Sequence, residues 1–374
     1  MTKNKTKDVG SRGGRVASAW LVVSAVVAAV VVGGVVLRTR AARREVLAVG
    51  RYRLTEVARE GTGHQRAERV AFADGGRLLA VTCPRYNRLV LYRVTDRDAL
   101  ELVDDLALDG KPVAVCPGAD RLYVLERPPG DNRHVEPGWC EAFTFRGEKV
   151  GDKVQVGYYP DDLALAPDGR HAYVLTSGRA EGDPKKPTPA LDVYEIAAGS
   201  IGPKSLGRVA FEGPRDDPAR ITLSATGRCA VVTLLGADEA AAVDLFEPTR
   251  PHPVGRSRLA RAEAPYPSRT QDDTIVMPVA SGRESLVFSL GGVGDCVLST
   301  LPQGSGLELH RVRNSRPLGR LTLHGGAFGL GTTRPTGLAF SAERGLIAVA
   351  NRSGGVHLVA IRPVVETVAA SVSR

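Results

Sequence analysis

Beyond residue 50 the hydrophobic positions fall into short runs, and no long stretch has helical periodicity. The runs are rich in Val, Leu, Ala and Tyr and are bounded by Gly, Pro and Asp, which is typical of β-strands separated by turns. Five pairs of runs share one pattern of strand, tight turn and strand, at residues 69–83, 112–126, 162–176, 220–234 and 337–351. We interpret each as a β-hairpin, because turn residues such as Asp168-Gly169 adopt conformations that β-branched residues resist.

The hairpins belong to a longer repeat. Residues 274–290 form a weaker sixth copy, and each hairpin is followed by a third apolar run and usually by a fourth. The third runs lie at 89–94, 140–145, 191–196, 241–246, 307–312 and 356–361. Four strands per repeat without intervening helices predict an all-β propeller of six four-stranded blades, with seven as the alternative. Residues 52–58 are expected to add a strand to the last blade and so close the ring.

The N-terminal pattern is different. Val16 to Leu37 is an uncharged run of 22 residues, and as a helix it would be about 33 Å long, enough to cross the hydrocarbon core of a bilayer. We interpret it as an uncleaved signal-anchor, because it is longer than the apolar core of a signal peptide and is followed by Arg38, Arg40, Arg43 and Arg44. The chain is therefore divided into a basic tail at 1–15, a transmembrane helix at 16–37, a basic juxtamembrane linker at 38–50 and the propeller at 51–374.

The charge distribution supports this division. The formal net charge is +9, but residues 1–44 contain nine Lys or Arg and one Asp, which leaves 41 positive and 40 negative residues for the rest. The propeller is thus nearly neutral, and we predict no nucleic-acid partner. A short basic tail before a first span usually stays in the cytoplasm, so we expect a single-pass membrane protein with its propeller outside the cytoplasm.

Two repeats resemble a known family. Residues 71–83 and 163–179 look like the repeats of the YVTN and lactonase-like β-propellers, although the YVTN tetrapeptide is absent and its nearest forms are at 122–125 and 172–175. The resemblance covers most of residues 65–363 and concerns architecture. It implies a six-bladed relative of enzymes that hydrolyse lactones and bind a divalent metal at the channel mouth.

Acidic pairs precede several of the hairpins. They are Asp161-Asp162, Asp216-Asp217 and Asp272-Asp273, and the nearby cations are Lys111, Arg220 and Arg334. The ends of the innermost strands surround the channel of a propeller, so carboxylates from several blades can converge there on Ca²⁺ or Mg²⁺. The alternative, which we favour, is that these aspartates bond loop amides, since Pro112, Pro160, Pro218 and Pro335 mark the same connections.

The sequence carries no strong signal for other catalytic or cofactor-binding chemistry. The sequence has no GxSxG, Walker or HExxH motif, its seven histidines are scattered, and its five cysteines form no CxxC pair. We expect free thiols and no resident cofactor, apart from the divalent cation just described. The sequence thus favours a membrane-anchored propeller that binds or scaffolds a protein or cell-envelope ligand. The alternative is a lactonase-like or other metal-dependent hydrolase.

Overall fold

The computed structural model describes residues 46–364 except 65, 130–135, 178–187, 214, 225, 236, 238, 259–264, 268–273, 277–284, 291–293, 302–305, 312–316, 324–334 and 354. The predicted transmembrane helix at 16–37 lies outside these residues. Within the described part of the chain, no helix has the length and hydropathy that a membrane crossing requires. The described residues belong to one compact unit.

Blades 1 to 3 are antiparallel four-stranded sheets in sequence order. Blade 1 consists of β3 Arg69–Ala73, β4 Leu78–Cys83, β5 Arg88–Val94 and β6 Leu100–Ala107. Blade 2 consists of β7 Lys111–Pro117, β8 Arg121–Arg127, β9 Pro137–Thr144 and β10 Lys149–Tyr158. Blade 3 consists of β11 Pro160–Leu165, β12 His171–Thr176, β13 Ala190–Ala197 and β14 Ser200–Ala210. Two short 3₁₀ turns, Asp74–Gly76 and Pro84–Tyr86, lie in the connections of blade 1.

Blades 4 to 6 complete the ring. Blade 4 consists of β15 Pro218–Leu223, β16 Cys229–Leu234, β17 Glu239–Asp244 and β18 His252–Arg258. Blade 5 consists of β21 Ser285–Leu290, β22 Gly294–Thr300, β23 Gly306–Arg311 and β24 Pro317–Thr322. Blade 6 consists of β25 Pro335–Ser341, β26 Leu346–Asn351 and β27 Gly355–Pro363, together with β2 Tyr52–Gly61 and β1 Val46–Val49 from the start of the described chain. The six-bladed architecture predicted from the repeats is therefore confirmed.

The predicted hairpins are confirmed in their register for five blades. In blade 3, Leu163 pairs with Val174 and Leu165 pairs with Ala172, as the repeat implies. Gly169 supplies the turn with a φ of +67°, in the left-handed region that glycine adopts without a steric penalty.

The sixth predicted hairpin, at 274–290, is wrong. β20 Thr274–Val276 pairs instead with β19 Pro265–Pro267 in a separate two-stranded ladder. The first hairpin of blade 5 is formed by β21 and β22, in which Ser285 pairs with Ser299. The reason lies in the connection, because only three residues separate these two strands and two of them are glycines, which favours a tight hairpin turn.

The ring closes through the N-terminal strand, as predicted. β2 pairs with β27 along its length, and Leu54 lies opposite Ile361. The imidazole Nδ1 of the buried His357 lies 2.9 Å from the Glu56 carboxylate across this seam. β1, which falls in the segment predicted as linker, extends the same sheet by pairing with β2.

The hydrophobic cores lie between neighbouring blades. In β4, Leu79 and Val81 pack against blade 6, whereas Leu78 and Ala80 pack against blade 2. Because both faces of the blade are covered, the second strand contains a continuous apolar run, Leu78 to Val81 in β4, rather than an alternating pattern. Leu54 and Ile347 similarly belong to a core shared by blades 5 and 6. The five cysteines are free, as expected.

The two ends of the channel differ in their loops. The innermost strands β3, β7, β11, β15, β21 and β25 all begin at one end, which we call the entry face; the opposite end, where the first hairpins turn, is the hairpin face. Four connections between blade strands exceed seven residues, at 128–136, 177–189, 259–284 and 323–334, and each of them joins strand ends at the entry face. The connections of the hairpin face are seven residues or shorter.

Candidate functional site

Four of the innermost strands share an irregularity in their β-pairing close to where they begin. In blades 3, 4 and 6 the first strand begins with a proline, and in blade 2 a proline is its second residue. In all four blades the pairing slips by one residue directly after this proline. The residue that occupies this β-bulge is Val113, Asp161, Ala219 or Thr336. Bulges re-aim side chains and are common beside functional sites. In blade 3 the re-aimed side chain is an aspartate.

Asp161 forms an ion pair with Arg127 from the end of β8 in the neighbouring blade. Arg127 also donates from Nε to the Pro160 carbonyl oxygen at 2.7 Å. Its guanidinium carbon lies 3.6 Å from the ring centroid of Tyr159, a cation–π contact. Tyr159 itself has a φ of +47°, which is unusual for a bulky residue and is held by these contacts.

The two oxygens of the Asp161 carboxyl differ in their surroundings, and Oδ1 is the one that pairs with Arg127. The second, Oδ2, is buried and has no hydrogen-bond partner among the described residues. Burial raises the pKa of Asp161 to about 7, Arg127 and Ser177 oppose this rise, and the negative charges of Asp217 and Asp162 add to it. The site therefore contains a carboxyl group that changes charge near neutral pH.

Asp162 takes part in contacts that join four blades. Its Oδ1 lies 3.9 Å from Nη2 of Arg69 in blade 1, and its Oδ2 accepts a 3.0 Å hydrogen bond from the Ile221 amide in blade 4. Arg69 also donates from Nε to the Val113 carbonyl oxygen in blade 2 at 3.3 Å. Both charged side chains are only 14% exposed. Contacts of this kind fix the positions of the innermost strands around the channel.

Asp216 supports its own loop. The carboxylate pairs with Arg256 on β18 through two short contacts of 2.6 and 2.8 Å. It also accepts a 2.8 Å hydrogen bond from the Gly213 amide three residues earlier. This is the backbone-capping role that the sequence favoured for these aspartates. Its neighbour Asp217 is exposed.

The remaining predicted residues are distributed as follows. Lys111 begins β7 opposite Arg127, and Arg220 lies opposite Thr233 and donates to the Ala219 carbonyl oxygen at 2.8 Å. Asp272, Asp273 and Arg334 lie outside the described residues. In the part of the chain that the structure describes, no group of three or more His, Cys, Asp or Glu side chains is placed to hold a metal ion. The Ca²⁺ or Mg²⁺ site remains a prediction.

Sequence reasoning missed the cationic and aromatic partners. Arg69, Arg127 and Tyr159 were not singled out, because nothing in a strand pattern reveals which side chains meet across blades. The Pro-x step at the start of an inner strand, repeated in four blades, would have identified Asp161 as the re-aimed residue.

A second polar group lies on the entry face at the periphery of blade 1. His64 Nε2 lies 2.7 Å from the Asp105 carboxylate, and its ring contacts that of Tyr86 with 5.4 Å between centroids. Tyr86 is 42% exposed. This pair of rings offers an aromatic contact surface on the outer part of the entry face.

Comparison with known proteins yields a structural neighbour only. No protein-family model matches the chain, and no curated protein sequence matches it. Among solved structures, a similar one is the Pseudomonas aeruginosa periplasmic gluconolactonase, PpgL, with 17% sequence identity, a TM-score of 0.46, and coverage of 77% of this chain and 79% of that chain. The architectural resemblance to lactonase-like propellers expected from the sequence agrees with the six-bladed fold, whereas a shared fold does not transfer an activity.

Proposed function

We propose that this protein is a membrane-anchored propeller that binds a protein or cell-envelope ligand through its entry face. The observation that carries the proposal is that every connection longer than seven residues joins strand ends on that face. Binding residues concentrate on loops that a rigid scaffold positions. The hairpin face, with its short turns, provides much less adaptable surface.

The charges at the channel mouth support binding rather than hydrolysis. Asp161, Asp162 and Asp216 each face an arginine, so these carboxylates already have cationic partners. A divalent cation would have to displace a guanidinium at each of them. A binding surface needs no convergent set of unpaired carboxylates, and paired charges hold the loops in place for a partner.

Co-sedimentation tests the proposal. The detergent-solubilised full-length chain should sediment with an isolated cell-envelope fraction, and Tyr86→Ser on the entry face should reduce the bound fraction at least several-fold. Phe246→Ser is the matched control, because Phe246 is an exposed aromatic residue on the hairpin face. Equal losses from both substitutions, or no sedimentation by the unsubstituted chain, would contradict the proposal.

A lactonase-like hydrolase is the second candidate function, and one observation favours it. Asp161 has a buried oxygen, Oδ2, without a hydrogen-bond partner among the described residues, and its pKa is about 7, properties that suit a general base. In such a reaction Asp161 would take a proton from water while Arg127 stabilised negative charge on the substrate carbonyl oxygen. A panel of lactones with and without Ca²⁺ distinguishes the candidates, since turnover that Asp161→Asn abolishes would establish the hydrolase and displace the binding role.

A further inference from the structure

Glu126 and Trp139 form an unusual pair in blade 2. They lie directly opposite each other on β8 and β9, and the Glu126 side chain is fully buried. Glu126 Oε1 and Trp139 Nε1 are both buried and both lack a hydrogen-bond partner among the described residues. One is an acceptor and the other a donor, so each can satisfy the other after a small movement or through one bridging water.

The other oxygen of Glu126 holds a connection between blades. Oε2 accepts a 2.8 Å hydrogen bond from the Gly110 amide, in the three-residue link from blade 1 to Lys111 at the channel mouth. Gly110 has no room for a side chain, because a β-carbon there would lie 2.4 Å from the Arg127 carbonyl oxygen and 2.7 Å from Trp139 Cζ2. The link, the indole and the carboxyl group are therefore in direct contact.

Opposing forces act on the charge of this carboxyl group. Two N–H donors face it, and they favour the carboxylate. Burial and the negative charge of Glu141 favour the acid, and together they raise the pKa of Glu126 to about 7. Glu126 therefore gains or loses its proton near neutral pH although it lies in the interior of blade 2.

The charged side chains around Glu126 form ion pairs with one another. Glu141 on β9 pairs with Lys149 on β10 at 2.8 Å. Asp109 in the link pairs with Lys153 on β10 at 3.0 Å, and Lys153 Nζ lies 4.5 Å from the centroid of the Trp139 ring. These groups, with the buried Cys140 thiol, are the titratable neighbours of Glu126.

We propose that Glu126 is a proton-operated latch, whose carboxylate form holds Trp139 and the Gly110 link and whose acid form releases them. A carboxylate accepts both N–H donors in charge-assisted hydrogen bonds, which are about twice as strong as neutral ones. The acid presents a hydroxyl to at least one of the two donors and loses that bond. Because the link leads to Lys111, protonation of Glu126 loosens the channel mouth between blades 1 and 2. The latch does not depend on what the entry face binds.

Trp139 reports directly on this latch. Trp20 is the only other tryptophan, so the full-length chain carrying Trp20→Phe has a single indole at the site. Its fluorescence should change between about pH 5 and pH 9, with a midpoint close to the Glu126 pKa of about 7. The protection factor of the Gly110 amide, which is its exchange rate relative to the intrinsic rate at the same pH, should be lower on the acid side by about threefold or more.

Two substitutions and one control make the test specific. Glu126→Gln should abolish the fluorescence transition, and Glu141→Gln should move its midpoint to lower pH, because the Glu141 charge raises the Glu126 pKa. Asp161→Asn should leave the transition in place, although Asp161 also titrates near neutral pH. A flat fluorescence profile, a transition that survives Glu126→Gln, or an unmoved midpoint in Glu141→Gln would each overturn the latch. If Glu126→Gln does not fold, the Glu141→Gln midpoint alone decides.

Discussion

Arg69 of blade 1 reaches past blade 2 to Asp162 of blade 3, where its Nη2 lies 3.9 Å from the carboxylate Oδ1. On the way it donates to the Val113 carbonyl oxygen of blade 2. The two side chains thus connect innermost strands that are not neighbours in the ring. Charges of this kind at a channel mouth stabilise the arrangement of blades.

This relationship predicts the effect of removing Asp162. Asp162→Ala leaves Arg69 and the Ile221 amide without this acceptor and should lower the free energy of unfolding by about 2 to 4 kcal/mol. Asp162→Asn can still accept the Ile221 N–H bond and should lose less. Urea unfolding of both variants provides the comparison, and equal losses would show that the amide contact contributes nothing.

The ring closure predicts a loss of stability when one contact between a histidine and a carboxyl group is removed. Glu56→Ala removes the partner of the buried His357 Nδ1 across the β2–β27 seam and should lower the free energy of unfolding by about 1 to 3 kcal/mol. Glu60→Ala on the exposed part of the same strand is the control and should stay within about 0.5 kcal/mol. Thermal melting measures both, and similar effects for the two variants would contradict a role for this contact in closure.

Asp161 predicts a pH dependence of stability. Its folded pKa of about 7 lies above the ordinary value of 3.8, so the folded protein holds this proton more tightly than the unfolded chain. The resulting stabilisation is complete below the ordinary pKa and is lost as the pH rises through 7. The difference in unfolding free energy between the unsubstituted chain and Asp161→Asn should therefore fall steadily from about pH 5 to pH 8. A constant difference would contradict the raised pKa.

Substitution of Gly169 should destabilise the fold through backbone conformation alone. Its φ is +67°, and a β-carbon there would meet nothing within 4 Å. Gly169→Ala should thus destabilise the fold by about 1 kcal/mol through backbone strain alone, and Gly169→Asn should cost less, because asparagine tolerates this region better. Melting temperatures of the two variants test this order of stability. A steric clash would instead make the larger asparagine the more destabilising substitution.

The repeat was visible in the sequence because blade strands are buried on both faces. Runs such as Leu163–Leu165 and Ala172–Leu175 are apolar throughout and recur with turn residues between them, so hairpins and blade number followed. The hairpin of blade 5 was misplaced, because the apolar run at Thr274–Val276 resembles an inner strand.

The candidate site was less predictable for a physical reason. The acidic pairs were visible as a pattern, but their partners are set by contacts between blades far apart in sequence, as in Arg127 with Asp161. Likewise, no sequence periodicity reveals that Glu126 has a buried acceptor and Trp139 a buried donor without hydrogen-bond partners among the described residues. This property depends on the burial of individual atoms.

The anchor predicts a simple fractionation result. The uncharged run from Val16 to Leu37 should keep the full-length chain in the membrane fraction after an alkaline carbonate wash. A chain that begins at residue 45 should appear in the supernatant. Release of the full-length chain by carbonate would contradict the anchor and leave the propeller as the whole functional unit.

Photo-crosslinking in cells tests the binding role of the entry face most directly. A photoreactive phenylalanine replaces Tyr86 on the entry face, which is 42% exposed, or Phe246 on the hairpin face, which is 65% exposed. The account predicts a discrete adduct from position 86 and none from position 246, even though Phe246 is the more accessible residue. Adducts of equal yield from both positions, from position 246 alone, or from neither would contradict the proposal that the entry face binds the ligand.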